Sequence, residues 1–185
     1  MIIGLAGYAR SGKDSAADAL EGIGFRRIAF ADKLREFMYE MNPIVKHNDS
    51  SLHSLPLRDI IDIHGWNGYK DTGWATDIRR WMQVVGTNCV RGILGNDIWA
   101  NATFDSMYMD KNYVLTDVRF LNEANGIRQR GGRMYRIVRA GVGPANDHIS
   151  ETALDNYDYD GFIHNDGTLE EFHDSVRRRI LEGRN

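Results

Sequence analysis

The sequence predicts an α/β fold: a five-stranded parallel sheet flanked by helices and carrying a helical insertion. Three observations point there. Strand-like apolar runs alternate with helix-like segments along most of the 185 residues. The first strand feeds directly into a glycine-spaced loop and a helix, the order used when a sheet binds a ligand at the carboxyl ends of its strands. Roughly seventy residues without a strand pattern then separate the second strand from the third, far more than an ordinary connection.

Met1 to Ala6 (MIIGLA) is the first strand, and Lys13 onward (KDSAADALEGIG) reads as the first helix. Arg26 to Ala31 (RRIAFA) gives the second strand, followed by a helix from Asp32 (DKLREFMYEMN) that Pro43 stops. Residues 44–75 are polar and turn-rich, punctuated by Asn67-Gly68 and Asp71-Thr72-Gly73, and residues 76–109 read as helix in two pieces. Residues 44–109 are therefore expected to be an insertion within a single domain spanning 1–185. Tyr113 to Val118 (YVLTDV) is the third strand, Leu121 to Gly131 a helix, Arg133 to Arg139 (RMYRIVR) the fourth strand and Asp160 to His164 (DGFIH) a short fifth. Thr168-Leu169-Glu170-Glu171 is a capping box, and Phe172, Val176 and Ile180 recur at helical spacing behind it.

Composition narrows the function classes. A formal net charge of −3 argues against general binding to nucleic acid or a membrane surface, so any anion site must be local. Cys89 stands alone, which excludes an internal disulfide framework and a cysteine-based zinc site. The histidines at 47, 53, 64, 148, 164 and 173 lack metal-ligand spacing. The apolar start is too short for a signal peptide and has no charged leader, and no stretch approaches membrane-spanning length, so a cytoplasmic location is expected.

The loop behind the first strand reads Gly7-Tyr8-Ala9-Arg10-Ser11-Gly12-Lys13-Asp14-Ser15. Glycines at this spacing let the backbone curl so that successive N–H groups converge on one anion, and the helix N-terminus adds partial positive charge. Lys13 is placed to reach the β- and γ-phosphates of a nucleotide. The next position usually carries a Ser or Thr hydroxyl for magnesium; here it is Asp14, with Ser15 one step on. A carboxylate is a hard oxygen ligand that suits magnesium, provided cations such as Lys13 offset its charge beside a triphosphate. Gly7, Arg10, Ser11, Gly12, Lys13, Asp14 and Ser15 are thus the candidate ATP-binding loop.

Asp117 ends the run Tyr113 to Thr116, where it either holds magnesium, directly or through water, or caps the following helix. Arg119 shares a strand face with Asp117 if the strand continues, and is a candidate to neutralise a phosphate. Arg79, Gln83 and Thr87 recur in steps of four, with Arg80 and Arg91 nearby, while Met82, Val85 and Cys89 occupy a different, apolar side. That face is either solvated surface or an acceptor site, with arginine forking a phosphate and Gln83 reading a base edge. Asp32 has three readings: a helix cap, a ligand for a sugar hydroxyl, or a base toward an acceptor hydroxyl. Arg139 opens residues 139–147, either a short lid or a surface loop. Asn165 either borders the nucleotide base or belongs to the turn Asn165-Asp166-Gly167. Of Trp66, Trp74, Trp81 and Trp99, most should be packing residues.

Together these pieces resemble the deoxynucleoside monophosphate kinases of tailed phages, a branch of the P-loop kinases. The resemblance is carried by Gly7 with Gly12-Lys13-Asp14-Ser15 and Asp18, by Arg80-Trp81-Met82-Gln83-Val84-Val85-Gly86-Thr87, and by Thr116-Asp117-Val118-Arg119-Phe120 with Asn122-Glu123-Ala124. It extends to Gly131-Gly132, to His148 with Ser150-Glu151, and to Asn165 through Glu171, and is loose between 43 and 75. The Gly-Lys-Asp variant is its most telling part, shared also with phosphomevalonate kinases.

The resemblance implies a P-loop kinase fold, with 44–109 as the monophosphate-binding insertion and 139–147 as the lid. It implies transfer of the ATP γ-phosphoryl group to a deoxynucleoside 5′-monophosphate with Mg2+, Lys13 and Asp14 handling ATP and metal, and Arg80, Gln83 and Arg119 on the acceptor side. Joined to the residue reading, the expected catalytic cations are Lys13, Arg80, Arg119 and Arg139, and the metal residues are Asp14 and Asp117. Asp32, Arg79, Thr87 and Asn165 complete the substrate and nucleotide contacts. Nucleotides are the expected partners, without nucleic acid or membrane, and a homodimer is a possible assembly. Two rivals stand beside this reading. One is a kinase for a hydroxyl acceptor, like dephospho-CoA kinase, or for another small molecule, like phosphomevalonate kinase. The other is a nucleotide-binding switch without transferase activity.

Overall fold

The computed structural model describes residues 1–49, 53–144 and 149–182. The elements run β1 (Ile2–Ala6), α1 (Lys13–Glu21), β2 (Phe25–Ile28), α2 (Phe30–Met41), β3 (Ile44–Val45), β4 (Leu55–Pro56) and α3 (Leu57–Gly68). They continue with α4 (Ala75–Gln83), a π-helical stretch (Val84–Arg91), α5 (Gly92–Leu94), α6 (Ile98–Asp105), β5 (Asn112–Leu115), α7 (Leu121–Gln129), β6 (Arg133–Val138), α8 (Ile149–Thr152), β7 (Gly161–His164) and α9 (Leu169–Glu182). Among the described residues no helix is long and apolar enough to cross a membrane.

Two compact units divide the chain, Met1–Phe30 with Thr103–Asn185, and Ala31–Ala102. The first holds the five-stranded sheet in the order β2-β5-β1-β6-β7, every pairing parallel. β1 is central, and its alternation shows what each face needs. Ile3 and Leu5 point into a core with Ala16, Leu20, Phe172, Val176 and Ile180 from α1 and α9. Gly4, between them, faces the other way, where Ile127 of α7 and Met134 of β6 leave no room for a Cβ. The capping box opens α9 as expected, with the Thr168 N–H donating to Glu171 Oε2 (2.8 Å) and the Glu171 N–H to Thr168 Oγ1 (3.3 Å).

The second unit packs Met38, Val45, Leu57, Ile60, Ile78 and Val85 around a core of its own. Its antiparallel pair β3-β4 and helix α3 lie where the sequence read only polar turns. Pro56 opens α3, and Gly65, at φ 67°, breaks its helical path before Asn67-Gly68. The turn residues are thus inside a kinked helix.

Three further expectations change. α2 begins at Phe30 rather than Asp32, because Asp117 Oδ1 accepts the Phe30 N–H at 2.8 Å, a cap supplied from 87 residues away. β5 stops at Leu115, so Asp117 and Arg119 lie in the loop beyond it and share no strand face. Cys89 is exposed and not on an apolar side: the π-helical winding after Gln83 bonds each N–H one residue further back and rotates position 89 off the helical projection.

Candidate active site

The loop between β1 and α1 is bent by three positive φ angles, at Gly7 (140°), Arg10 (65°) and Gly12 (107°). A Cβ at Gly7 would stand 2.5 Å from the Ile137 carbonyl oxygen and 2.8 Å from Ser11 Oγ, so only glycine leaves this cradle open. Ser11 is 1% exposed, and its hydroxyl has no hydrogen-bond partner among the described residues. No side chain caps the N-terminus of α1, so its partial positive charge faces the loop. A buried hydroxyl in want of an acceptor, inside a curled backbone at a helix N-terminus, fits a phosphate.

Lys13 folds back over this loop, donating from Nζ to the carbonyls of Gly7 and Tyr8, both at 2.7 Å. Burial pushes its pKa below the ordinary lysine value, and the nearby Arg119 cation pushes in the same direction. An anion placed there reverses both effects by giving the ammonium a counter-charge.

The carboxylates divide by surroundings. Asp14, in the first turn of α1, is 88% exposed, with Arg27 Nη1 3.9 Å away. Asp117 spends one oxygen on the Phe30 N–H. Among the described residues no three His, Cys, Asp or Glu side chains gather to hold a metal by themselves. That donor set suits magnesium, which keeps most of its waters and uses one or two carboxylates together with substrate phosphates. Ser15, by contrast, is engaged elsewhere: its hydroxyl lies 3.0 Å from His173 Nε2 on α9. Asn165 donates its side-chain amide to the Ser11 carbonyl (2.9 Å), so it braces the loop.

Beside the loop lies a group that joins Arg119, Glu123 and Glu151 to residues the sequence reading left out, Arg136, Asp155 and Tyr159. Arg119 Nη1 donates to Glu151 Oε1 (3.2 Å), a carboxylate only 9% exposed. The peptide that carries Arg119 is fixed by Glu123, buried, whose Oε2 accepts the N–H groups of Arg119 and Phe120. Arg136 of β6 donates to Asp155 Oδ1 (2.6 Å), which also accepts from the Tyr8 hydroxyl (2.9 Å). Arg119, Arg136, Glu151, Asp155 and Tyr159 line a gap of about 20 Å3 next to Gly7 and Ala9, room for a water and no nucleotide. Arg136 carried one legible signal, a cation in the interior of its strand between Tyr135 and Ile137.

Of the remaining candidates, Arg139 lies in the first unit and the others in the second unit or outside the described residues. Arg79, Arg80, Gln83 and Thr87 are all exposed, on α4 and the π stretch that continues it. Arg80 donates to Asp77 Oδ1 (2.7 Å) and lies over the Trp81 ring. Asp32 pairs with Arg35 Nη1 (2.9 Å) within the first turns of α2. Arg139 is exposed in the first unit and begins a turn closed by the Val142 N–H on its carbonyl (3.2 Å). Residues 145–147 of the expected lid, and His148, lie outside the described residues.

A model of the family described as deoxynucleotide monophosphate kinase matches residues 59–176. A protein of Acanthamoeba polyphaga mimivirus, provisionally named a deoxynucleotide monophosphate kinase, is 31% identical over 95% of this chain and 94% of its own length. The deoxynucleotide monophosphate kinase of Escherichia phage RB69 is 34% identical over 60% of this chain, which spans only 47% of that longer protein. Among solved structures, dephospho-CoA kinase from Campylobacter jejuni shares the fold at TM-score 0.52, with 14% identity over 98% of this chain and 96% of its own.

Proposed function

The chain belongs to the deoxynucleotide monophosphate kinase family, and from that premise we propose that it transfers the γ-phosphoryl group of ATP to a deoxynucleoside 5′-monophosphate, giving the diphosphate and ADP. It is a phosphotransferase of nucleotide metabolism. The observation that carries the ATP half is the buried Ser11 hydroxyl, without a hydrogen-bond partner among the described residues, within a loop that excludes a Cβ at Gly7.

In this reading Gly7, Arg10, Ser11 and Gly12 wrap the phosphates with backbone N–H groups, and the Lys13 ammonium, with three N–H donors, keeps the Tyr8 carbonyl and exchanges that of Gly7 for phosphate oxygens. Magnesium bound with ATP supplies charge neutralisation across the phosphate oxygens, and Asp14 and Asp117 are the residues that would hold it. The acceptor is already an oxyanion, so positioning and charge neutralisation suffice and no strong base is required. That suits Asp32, whose carboxylate is paired with Arg35. Arg79, Arg80, Gln83 and Thr87 are proposed for the acceptor, with Arg119 and Arg139 as further cations and Asn165 as the brace of the phosphate loop.

The test is ADP formation from ATP and magnesium with each deoxynucleoside monophosphate in turn, beside a control without acceptor. Acceptor-dependent ADP with the matching diphosphate is expected. Equal ADP formation with and without every monophosphate would overturn the proposal.

A further inference from the structure

Tyr8 is gripped at both ends. Its hydroxyl donates to Asp155 Oδ1 at 2.9 Å, and its carbonyl accepts from Lys13 Nζ at 2.7 Å. Asp155 is held in turn by Arg136, whose Nη2 reaches the same Oδ1 at 2.6 Å while Nη1 donates to the Leu154 carbonyl at 3.3 Å. The Arg136 guanidinium stands 4.9 Å from the centre of the Tyr8 ring and 5.9 Å from that of Tyr159. This arginine is 12% exposed and comes from a rigid mount, the β6 position in register with Ala6, the last residue of β1.

We infer that Asp155 and Tyr8 are positioning residues for Lys13: they hold the Tyr8 peptide where its carbonyl presents the ammonium to the phosphate site. This role presupposes the nucleotide-binding reading of the loop given above. The loop needs such support, because Arg10 sits at φ 65°, a conformation that costs a non-glycine residue energy and persists only where its surroundings over-determine it. The chemistry of the clamp is suited to that work. One carboxylate oxygen takes two charge-assisted hydrogen bonds, the one from Arg136 between opposite charges, and the aromatic faces fix the arginine plane. The Tyr8 phenol is pushed above its ordinary pKa, first by burial and then by the Asp155 carboxylate, so it stays protonated and keeps donating.

Two near-isosteric changes in the full chain test this. Tyr8→Phe removes one oxygen and keeps the ring beneath Arg136; Asp155→Asn removes the charge and keeps the shape. Calorimetric titration with ADP and steady-state kinetics against ATP and the monophosphate are read together with the thermal midpoint. Each variant is expected to bind ADP about tenfold more weakly, the size of one hydrogen bond to a charged group. The ATP KM should rise in parallel and the monophosphate KM stay within about twofold. The double variant should be little worse than either single one, because the two residues act through one link. Lower thermal midpoints with unchanged ADP affinity would overturn the inference and leave a purely structural clamp. If Asp155→Asn does not fold, Tyr8→Phe decides alone. Wild-type protein that binds ADP without acceptor-dependent transfer would sink the kinase reading and still allow the ADP comparison. Wild-type protein that binds no ADP would overturn both.

Discussion

Asn165, just beyond β7, donates its side-chain amide to the Ser11 carbonyl at 2.9 Å and occupies the space that a Cβ on Gly12 would need. Phosphate loop and far strand are therefore locked at one point. Gly12→Ala, at φ 107°, should cost on the order of 2 kcal/mol in urea unfolding and abolish measurable ADP binding. Asn165→Ala leaves the Ser11 carbonyl without this donor, a loss of about 1 kcal/mol and a weaker nucleotide site. Unchanged ADP affinity in Asn165→Ala would show that the brace does not matter for binding.

Lys13 should titrate early. Its pKa is depressed by burial and, next, by Arg119. If the ammonium form binds ATP, the alkaline limb of kcat/KM must lie below the ordinary lysine value of about 10.4. Removing a neighbouring like charge favours the protonated form, so Arg119→Gln should move that limb upward. Lys13→Ala should lower kcat by about a hundredfold or more. A limb that stays in place in Arg119→Gln would refute the coupling.

Asp14 and Ser15 compete for the role of metal residue, and their surroundings separate them. The Asp14 carboxylate is 88% exposed, whereas the Ser15 hydroxyl is engaged by His173. Asp14→Asn is expected to raise the magnesium concentration for half-maximal activity by about tenfold, since one charged oxygen ligand is lost. Ser15→Ala should leave it within about twofold. The reverse ranking would return the metal role to the hydroxyl.

Asp77 ties α4 to the strand pair of its unit, accepting from Arg80 Nε (2.7 Å) and the Lys46 N–H (2.9 Å). Burial alone would raise its pKa, but the hydrogen bonds from Arg80 and Lys46 outweigh it and hold the carboxyl below its ordinary value. A carboxyl depressed on folding stabilises the protein above its unfolded pKa of about 3.9, and that contribution is lost as pH falls through the folded value. Asp77→Asn should therefore unfold about 1 kcal/mol more easily at neutral pH, a modest figure because Arg80 is half exposed. The difference from wild type should shrink below about pH 4. A constant difference down to pH 2 would count against the ionic origin.

The phosphate loop was legible because its determinants are local: two glycines, a lysine and a helix start within nine residues of one another. The five parallel strands were legible for the same reason, each being a short run of its own in which apolar residues recur, although β2 and β6 also carry arginines. What escaped depends on partners far away in sequence. The early start of α2 comes from Asp117, and the importance of Arg136 comes from Asp155 and Tyr8. Helix α3 escaped because Gly65, Asn67 and Gly68 spell a turn, and the kinked helix contains that turn. The exposure of Cys89 follows from a change of winding after Gln83 that no α-helical projection contains.

The order of the strands has a consequence for how the protein is born. β1 pairs Ile2 with Tyr113 and Ile3 with Arg133, so the central strand has no sheet partner until β5 and β6 have been synthesised. At ribosomal speeds that is a wait on the order of ten seconds, with an apolar edge open to unwanted pairing. Residues 31–102, contiguous and with a core of their own, can collapse during the interval. The oldest strand of the sheet is then among the last to be zipped in, and pulse-labelled hydrogen exchange during refolding should protect the amides of α3 and α4 before those of Ile3 to Leu5.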